Sequence, residues 1–218
     1  MSEYLVNCIT QNLIETLNYI KKDFENQKSI KVLDLGCGNK PYESLVINYL
    51  KNVKYIGIDY YNENADIKLD LNKDKLPFKD NEIDFIICTE VLEHLYDPFH
   101  CIKEMKRVLK QGGFIFLSTP FFYPVHDRKH DYFRFTENFH LRTFDNKEEG
   151  FKILKISKSN SYLGVFPLLL ENYLGTKATN FWKFLILFSN KLSNKILKKK
   201  FLNNAHYYDL VLLIKKVK

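Results

Sequence analysis

The stretch Val32-Leu33-Asp34-Leu35-Gly36-Cys37-Gly38 decides the fold. It starts inside a run of apolar and β-branched residues, Ile30 to Leu35, and breaks into a tight glycine turn. Such a run reads as a buried strand. Glycines let a backbone approach a ligand with no Cβ in the way. Pro41 suits the first turn of a helix that the spacing carries to about Lys51. A strand, a glycine turn and a helix in that order open a doubly wound α/β sheet. There, ligands bind at the carboxyl ends of the strands, where the strand order reverses.

The rest of the chain repeats the alternation. Upstream, Leu5, Ile9, Leu13, Leu17, Ile20 and Phe24 recur at helical spacing. Downstream, Lys54 to Ile58, about Ala65 to Leu69, Ile83 to Cys88 and Phe114 to Ser118 read as strands. A helical turn is expected at Thr89 to Leu95 and a helix at Pro98 to Lys110, stopped by Gly112-Gly113. Thr136 reads as the cap of a later helix. Phe151 to Ser157 and Tyr208 to Lys215 read as two final strands. Strands apolar on both faces, alternating with helices, predict a seven-stranded, mostly parallel sheet covered by helices. The whole chain, 1–218, is read as one domain, with a helical insertion at about 160–205 before the last strand.

Asp59 ends the second strand, where a carboxylate can accept both hydroxyls of a ribose. Two features separate this pattern from a dinucleotide site. The residues after Gly38 are Asn39, Lys40 and Pro41, so the third glycine of a pyrophosphate-binding turn is missing. Asp34 lies two residues before the first glycine, where it would repel a pyrophosphate and suit a ligand carrying an ammonium and a sulfonium.

Five segments, V-L-D-L-G-C-G, Y-I-G-I-D, a D-L pair, I-D-F-I-I-C-T-E-V-L-E-H-L and L-K-Q-G-G-F-I-F-L-S-T-P, resemble class I S-adenosylmethionine (SAM)-dependent methyltransferases in order and spacing. The resemblance covers about residues 30–120 and implies a Rossmann-like methyltransferase fold. It implies that Asp34, Gly36 and Gly38 line the methionine end of the cofactor and that Asp59 holds the ribose. Asp70 and Leu71 would meet the adenine, and Thr89 and Glu90 would close over the cofactor.

Methyl transfer from a sulfonium needs alignment above all, and a hydroxyl acceptor gains from a base. Glu90, Glu93 and His94 are spaced i, i+3, i+4, which puts them on one face if Thr89 to Leu95 is helical. His94 is the leading candidate for the base, since its ordinary pKa lies near neutrality. The E-x-x-E-H spacing also looks like that of two metal-assisted groups, the small-RNA 2′-O-methyltransferases and the ubiquinone-pathway O-methyltransferases. Two carboxylates and an imidazole can hold a divalent ion with a further histidine, His126 or His130. The same spacing occurs widely without a metal, and the expectation drawn is a metal-free site. H-D-Y-F-R-F-T, from His130, resembles a segment of methyltransferases from bacterial cell-surface glycan clusters. His130 and Arg134 are therefore candidates for touching an acceptor, with His130 taken beside His94 as catalytic. The alternative is a salt-bridged loop with Phe133 and Phe135 in the core.

The net charge of +7 sits in residues 191–218, which hold eight lysines and one acid; the rest is neutral. Basic charge confined to one end argues against nucleic acid as partner. A basic amphipathic helix in the insertion is compatible with peripheral contact on an anionic membrane. Cys8, Cys37, Cys88 and Cys101 form no C-x-x-C pair and fit reduced thiols, and the N-terminus lacks signal-peptide character, so a cytoplasmic protein is expected. The reading is thus a SAM-dependent enzyme methylating a small-molecule or glycan-linked acceptor, at oxygen. The alternatives are an RNA 2′-O-methyltransferase with a metal-assisted E-x-x-E-H site and a non-catalytic SAM-binding scaffold.

Overall fold

A computed structural model describes residues 3–127, 129–146, 148–159 and 209–217. The expected insertion at 160–205 lies outside them. Seven strands form one sheet in the order β3-β2-β1-β4-β5-β7-β6. They are β1 (Ile30–Leu35), β2 (Val53–Asp59), β3 (Ile67–Lys68), β4 (Ile83–Thr89), β5 (Leu109–Pro120), β6 (Phe151–Ser159) and β7 (Asp209–Lys216). β3, β2, β1, β4 and β5 run parallel, and β7 pairs antiparallel with both β5 and β6. The chain leaves β1 toward β2 on one side and returns to β4 on the other, so the reversal of order falls between β1 and β4. The crevice at their carboxyl ends is where the fold places a ligand.

Alternation along the strands sorts two apolar layers. Ile30, Val32, Phe85, Ile87, Phe114 and Phe116 pack with Ile9, Leu13, Leu17, Ile20 and Phe24 of helix α1 (Glu3–Phe24) and Val46 of α2 (Glu43–Tyr49). Leu33, Leu35, Ile86, Cys88, Ile115 and Leu117 pack with Cys101, Ile102, Met105 and Val108 of α3 (Pro98–Val108) and Phe144 of α4 (Glu137–Phe144). Because Asp34 alternates with Leu33 and Leu35, it turns toward the α1–α2 side. Thr136 caps α4 as expected, its hydroxyl accepting from the Phe139 amide.

Three local expectations need correction. Strand β3 pairs with β2 over only two residues, because it is the sheet's edge and has one neighbour. Helix α3 ends at Val108, before the glycine pair, since Leu109 already pairs with Ile83 of β4. A Cβ on Gly113 would lie 2.9 Å from the Asp84 carbonyl oxygen, so the glycine there permits a close strand approach. The expected helical turn at Thr89–Leu95 is a short 3-10 turn, Leu92–His94, and Glu90 before it adopts the left-handed region at φ 53°. Glu90, Glu93 and His94 therefore do not share a helix face. The Glu90 amide donates to the Ser118 carbonyl at 3.2 Å instead of starting a helix.

Candidate active site

Two cavities of about 490 and 470 Å³ open at the carboxyl ends of β1, β2 and β4, and Gly36, Glu90 and His94 line both. Asp34, Gly36, Gly38 and Thr89 border the smaller one with Tyr42, Tyr123 and His126. Asp59, Asp70 and Leu71 border the larger one with Tyr60, Asn72 and His130. All ten site residues expected from the sequence thus meet at one place, at or just past the carboxyl ends of five different strands.

The glycine turn has the backbone the sequence implies. Gly36 and Gly38 have φ of 65° and 49°. A Cβ on Gly36 would come within 2.4 Å of a Val91 methyl, so this position has no room for a side chain. The turn is held to β2 by the Cys37 amide, which donates to the Ile58 carbonyl at 3.0 Å, and by Asp59. Asp59 Oδ2 accepts from the Gly38 amide at 3.0 Å, and Oδ1 accepts from the Tyr61 and Asn62 amides at 2.9 and 3.0 Å. These bonds fix the carboxylate at the cavity edge and leave lone pairs for further donors. Asp70 is held likewise by the Asn72 amide and side chain, which keeps its pKa below the usual carboxylate range despite partial burial.

Buried acids surround the junction of the two cavities. Burial lifts the Asp34 pKa to about 7, against the opposing bond from the Tyr55 hydroxyl at 2.6 Å. Burial also lifts Glu90 to about 7, although Glu90 Oε1 accepts from the Ser118 hydroxyl at 2.8 Å. Asp209, at the start of β7, is also fully buried, and burial followed by the neighbouring Glu90 charge pushes its pKa well up. Glu93 is fully buried, and burial followed by the neighbouring Glu90 charge pushes its pKa well up. Sequence reasoning missed Asp209: the insertion precedes it, and its isolated charge carries no motif.

The two histidines taken as catalytic part company here. His94 Nδ1 lies 2.6 Å from the His130 carbonyl oxygen. A carbonyl only accepts, so Nδ1 carries the proton and Nε2 presents a lone pair. That Nε2 is 3.0 Å from His126 Nε2 and 3.7 Å from Glu93 Oε1. The His130 ring instead lies against Tyr61 and near Asp127, at the larger cavity. His130 thus supplies a backbone carbonyl to His94, and His126 supplies the imidazole. The sequence offered both as partners, and no local pattern ranked His126 first.

Arg134 is absorbed by its own loop. Its five contacts go to the Tyr123, Pro124 and Phe133 carbonyls and to both oxygens of Asp131. Phe135 is buried and Phe133 packs against the core. The salt-bridged loop foreseen as the alternative is therefore what forms. The Tyr132 amide donates to the Glu93 carbonyl at 2.8 Å, which ties this loop to the 3-10 turn.

Comparison with known proteins shows the family of the chain. A family model described as a methyltransferase domain matches residues 9–149. A probable S-adenosylmethionine-dependent methyltransferase of Mycolicibacterium smegmatis is 32% identical over 100 residues, which are 41% of this chain and 37% of that one. A ubiquinone biosynthesis O-methyltransferase of Pelagibacter ubique is 29% identical over 126 residues, 52% of this chain and 51% of that one. The chain spans about half the length, or less, of these curated relatives. The fold matches that of coclaurine N-methyltransferase bound to N-methylheliamine and SAH, with a TM-score of 0.54 at 15% identity over 93% of this chain and 70% of that one. The chain therefore belongs to the family of methyltransferase domains, with S-adenosylmethionine as its cofactor.

Proposed function

We propose that the protein transfers the methyl group of SAM to a hydroxyl of a small-molecule or glycan-linked acceptor. The cofactor takes the two cavities, its ribose at Asp59 and its adenine beside Asp70 and Leu71. Its ammonium lies toward Asp34. The sulfonium then comes to the junction lined by Gly36, Glu90 and His94. One observation carries the choice of a hydroxyl: His94 lines both cavities, and its bond to the His130 carbonyl leaves Nε2, 3.0 Å from His126 Nε2, as the proton-accepting atom. An amine acceptor can shed its proton to water, whereas a hydroxyl needs a base at the moment of transfer. In the step, the acceptor oxygen forms a bond to the methyl carbon as the carbon–sulfur bond breaks. Sulfur keeps the electron pair and leaves as the neutral thioether of S-adenosylhomocysteine (SAH). The hydroxyl proton passes to the imidazole pair and then to solvent. The oxygen linkage also agrees with the O-methyltransferase named among the relatives.

The test offers methyl-labelled SAM with sugars, lipid-linked glycans, phenols and transfer RNA in separate reactions, and maps the product by mass spectrometry. Label on oxygen of a small or glycan acceptor, lost in His94→Ala while SAH still binds, is the expected result. Label on nitrogen, label on RNA alone, or full turnover in His94→Ala would overturn the proposal.

A further inference from the structure

Helices α3 and α4 each cross between parallel strands, β4 to β5 and β5 to β6, so they run in one direction on the same face of the sheet. Phe99, Ile102, Lys103 and Lys106 share one face of α3, and Phe139 and Arg142 share one face of α4. Between these faces lies a groove of about 630 Å³ that shares no lining residue with either cofactor cavity. Toward the helix N-termini, Phe99 meets Phe139 edge-on at 6.0 Å, and 62% of Phe99 is exposed. Toward the C-termini, the Lys106 ammonium donates across the groove to the Thr143 carbonyl at 2.7 Å and pairs with Glu149. Among the described residues that line the groove, Glu149 is the one acid. Lys103 on one rim and Arg142 on the other are exposed, and neither side chain has an ion-pair or hydrogen-bond partner among the described residues. Three cations against one acid leave this apolar groove with two positive charges in excess.

We propose that the groove between α3 and α4 docks an acidic amphipathic helix of a partner protein. Like charge disfavours two other occupants: the segment 160–208, which holds seven lysines and one acid, and the same face of a second copy of the chain. An extended peptide fits poorly as well. The backbone groups of α3 and α4 are spent within the helices, so an extended chain would lay unpaired amides on Phe99, Ile102 and Phe139. A helix satisfies its own backbone and sets its ridge of side chains between two others. Phe99 to Lys106 spans about 10 Å, so the occupant contacts the groove over about two turns. Its apolar residues, one turn apart, cover the Phe99–Phe139 pair and Ile102, and flanking carboxylates meet Lys103 and Arg142. The inference does not rest on the proposed reaction, because the cofactor cavities stay open with the groove filled.

The probes are two labelled, alanine-rich helical peptides of about 16 residues, long enough to hold a helix. Each carries leucines one turn apart; one has glutamates beside them and the other lysines. Binding to the full-length protein is read by fluorescence anisotropy, with SAH titration as the check on folding. The glutamate peptide should bind at least tenfold tighter than the lysine peptide, and added salt should narrow the difference. Lys103→Glu with Arg142→Glu should reverse the preference, and Phe99→Ser should weaken binding of the glutamate peptide, with SAH affinity unchanged in both. Equal binding of the two peptides, binding of neither, or a preference that survives the charge reversal overturns the proposal. So does tighter binding of a single-stranded RNA than of the glutamate peptide, or self-association of the protein that the same charge reversal abolishes.

Discussion

Replacing Gly36 by Ala should damage both stability and cofactor binding, and the structure gives the size. Gly36 sits at φ 65°, a conformation that costs a residue with a Cβ about 1–2 kcal/mol. The new Cβ would lie 2.4, 3.2 and 3.4 Å from Val91 Cγ2, Cγ1 and Cβ. Val91 cannot step aside cheaply: it is β-branched, nearly buried, and one residue from the 3-10 turn that carries Glu93 and His94. Overpacking of this kind adds about 1–3 kcal/mol. The expected loss is thus about 2–5 kcal/mol in urea denaturation, with SAH binding at least tenfold weaker by calorimetry. Gly38→Ala is the internal control. Its φ is 49°, but its Cβ would meet nothing within 4 Å, so only the conformational cost applies. Trimming the obstacle should help: Gly36→Ala with Val91→Ala should be less destabilised than the sum of the two single changes. Equal losses at Gly36 and Gly38, or strict additivity with Val91→Ala, would refute the steric argument.

Two pH dependences and one packing effect follow from the same geometry. If Asp34 holds the cofactor ammonium, binding needs its ionised form; with a free-state pKa of about 7, SAH affinity should fall about tenfold from pH 8 to pH 6. Tyr55→Phe removes a bond that favours the carboxylate, so the fall should move to higher pH, and a flat profile would disprove the role of Asp34. His140 is buried in α4, 2.8 Å from the Thr119 hydroxyl, and burial lowers its pKa from 6.5 to about 4. Its folded form resists protonation, so this contribution is intact above pH 6.5 and is lost as pH falls toward 4. The loss should be on the order of 3 kcal/mol, and His140→Gln should flatten that part of the stability curve. Thr136→Ala should cost about 1 kcal/mol by removing the cap bond to the Phe139 amide; no change in the denaturation midpoint would count against it.

The parts of the molecule that were legible in the sequence are those fixed by local rules. β1 is read to the residue, because a mostly apolar stretch of six residues ends at a glycine turn that excludes its continuation. Thr136 announces its helix by cap chemistry, and α1 by its stripe. The cofactor residues lie at strand ends, so reading the strands places them together. The errors lie where distant contacts override local preference. Nothing in T-E-V-L-E-H-L marks Glu90 for the left-handed region, which comes from its amide bond to Ser118, 28 residues away in sequence. The glycines at 112 and 113 resemble a helix stop, yet they serve a strand pressed against Asp84. His126 and His130 look alike in the sequence. Asp131 and Arg134 fold their loop so that the first offers a ring to His94 and the second a carbonyl.

The measurement that tests the central claim most directly is a crystal structure of the protein with SAH bound. The account predicts ribose hydroxyls on Asp59, the amino group toward Asp34, and the sulfur at the junction facing His94 and His126. A cofactor seated elsewhere, or a sulfur turned away from His94, would contradict the proposed acceptor site and the chemistry drawn from it.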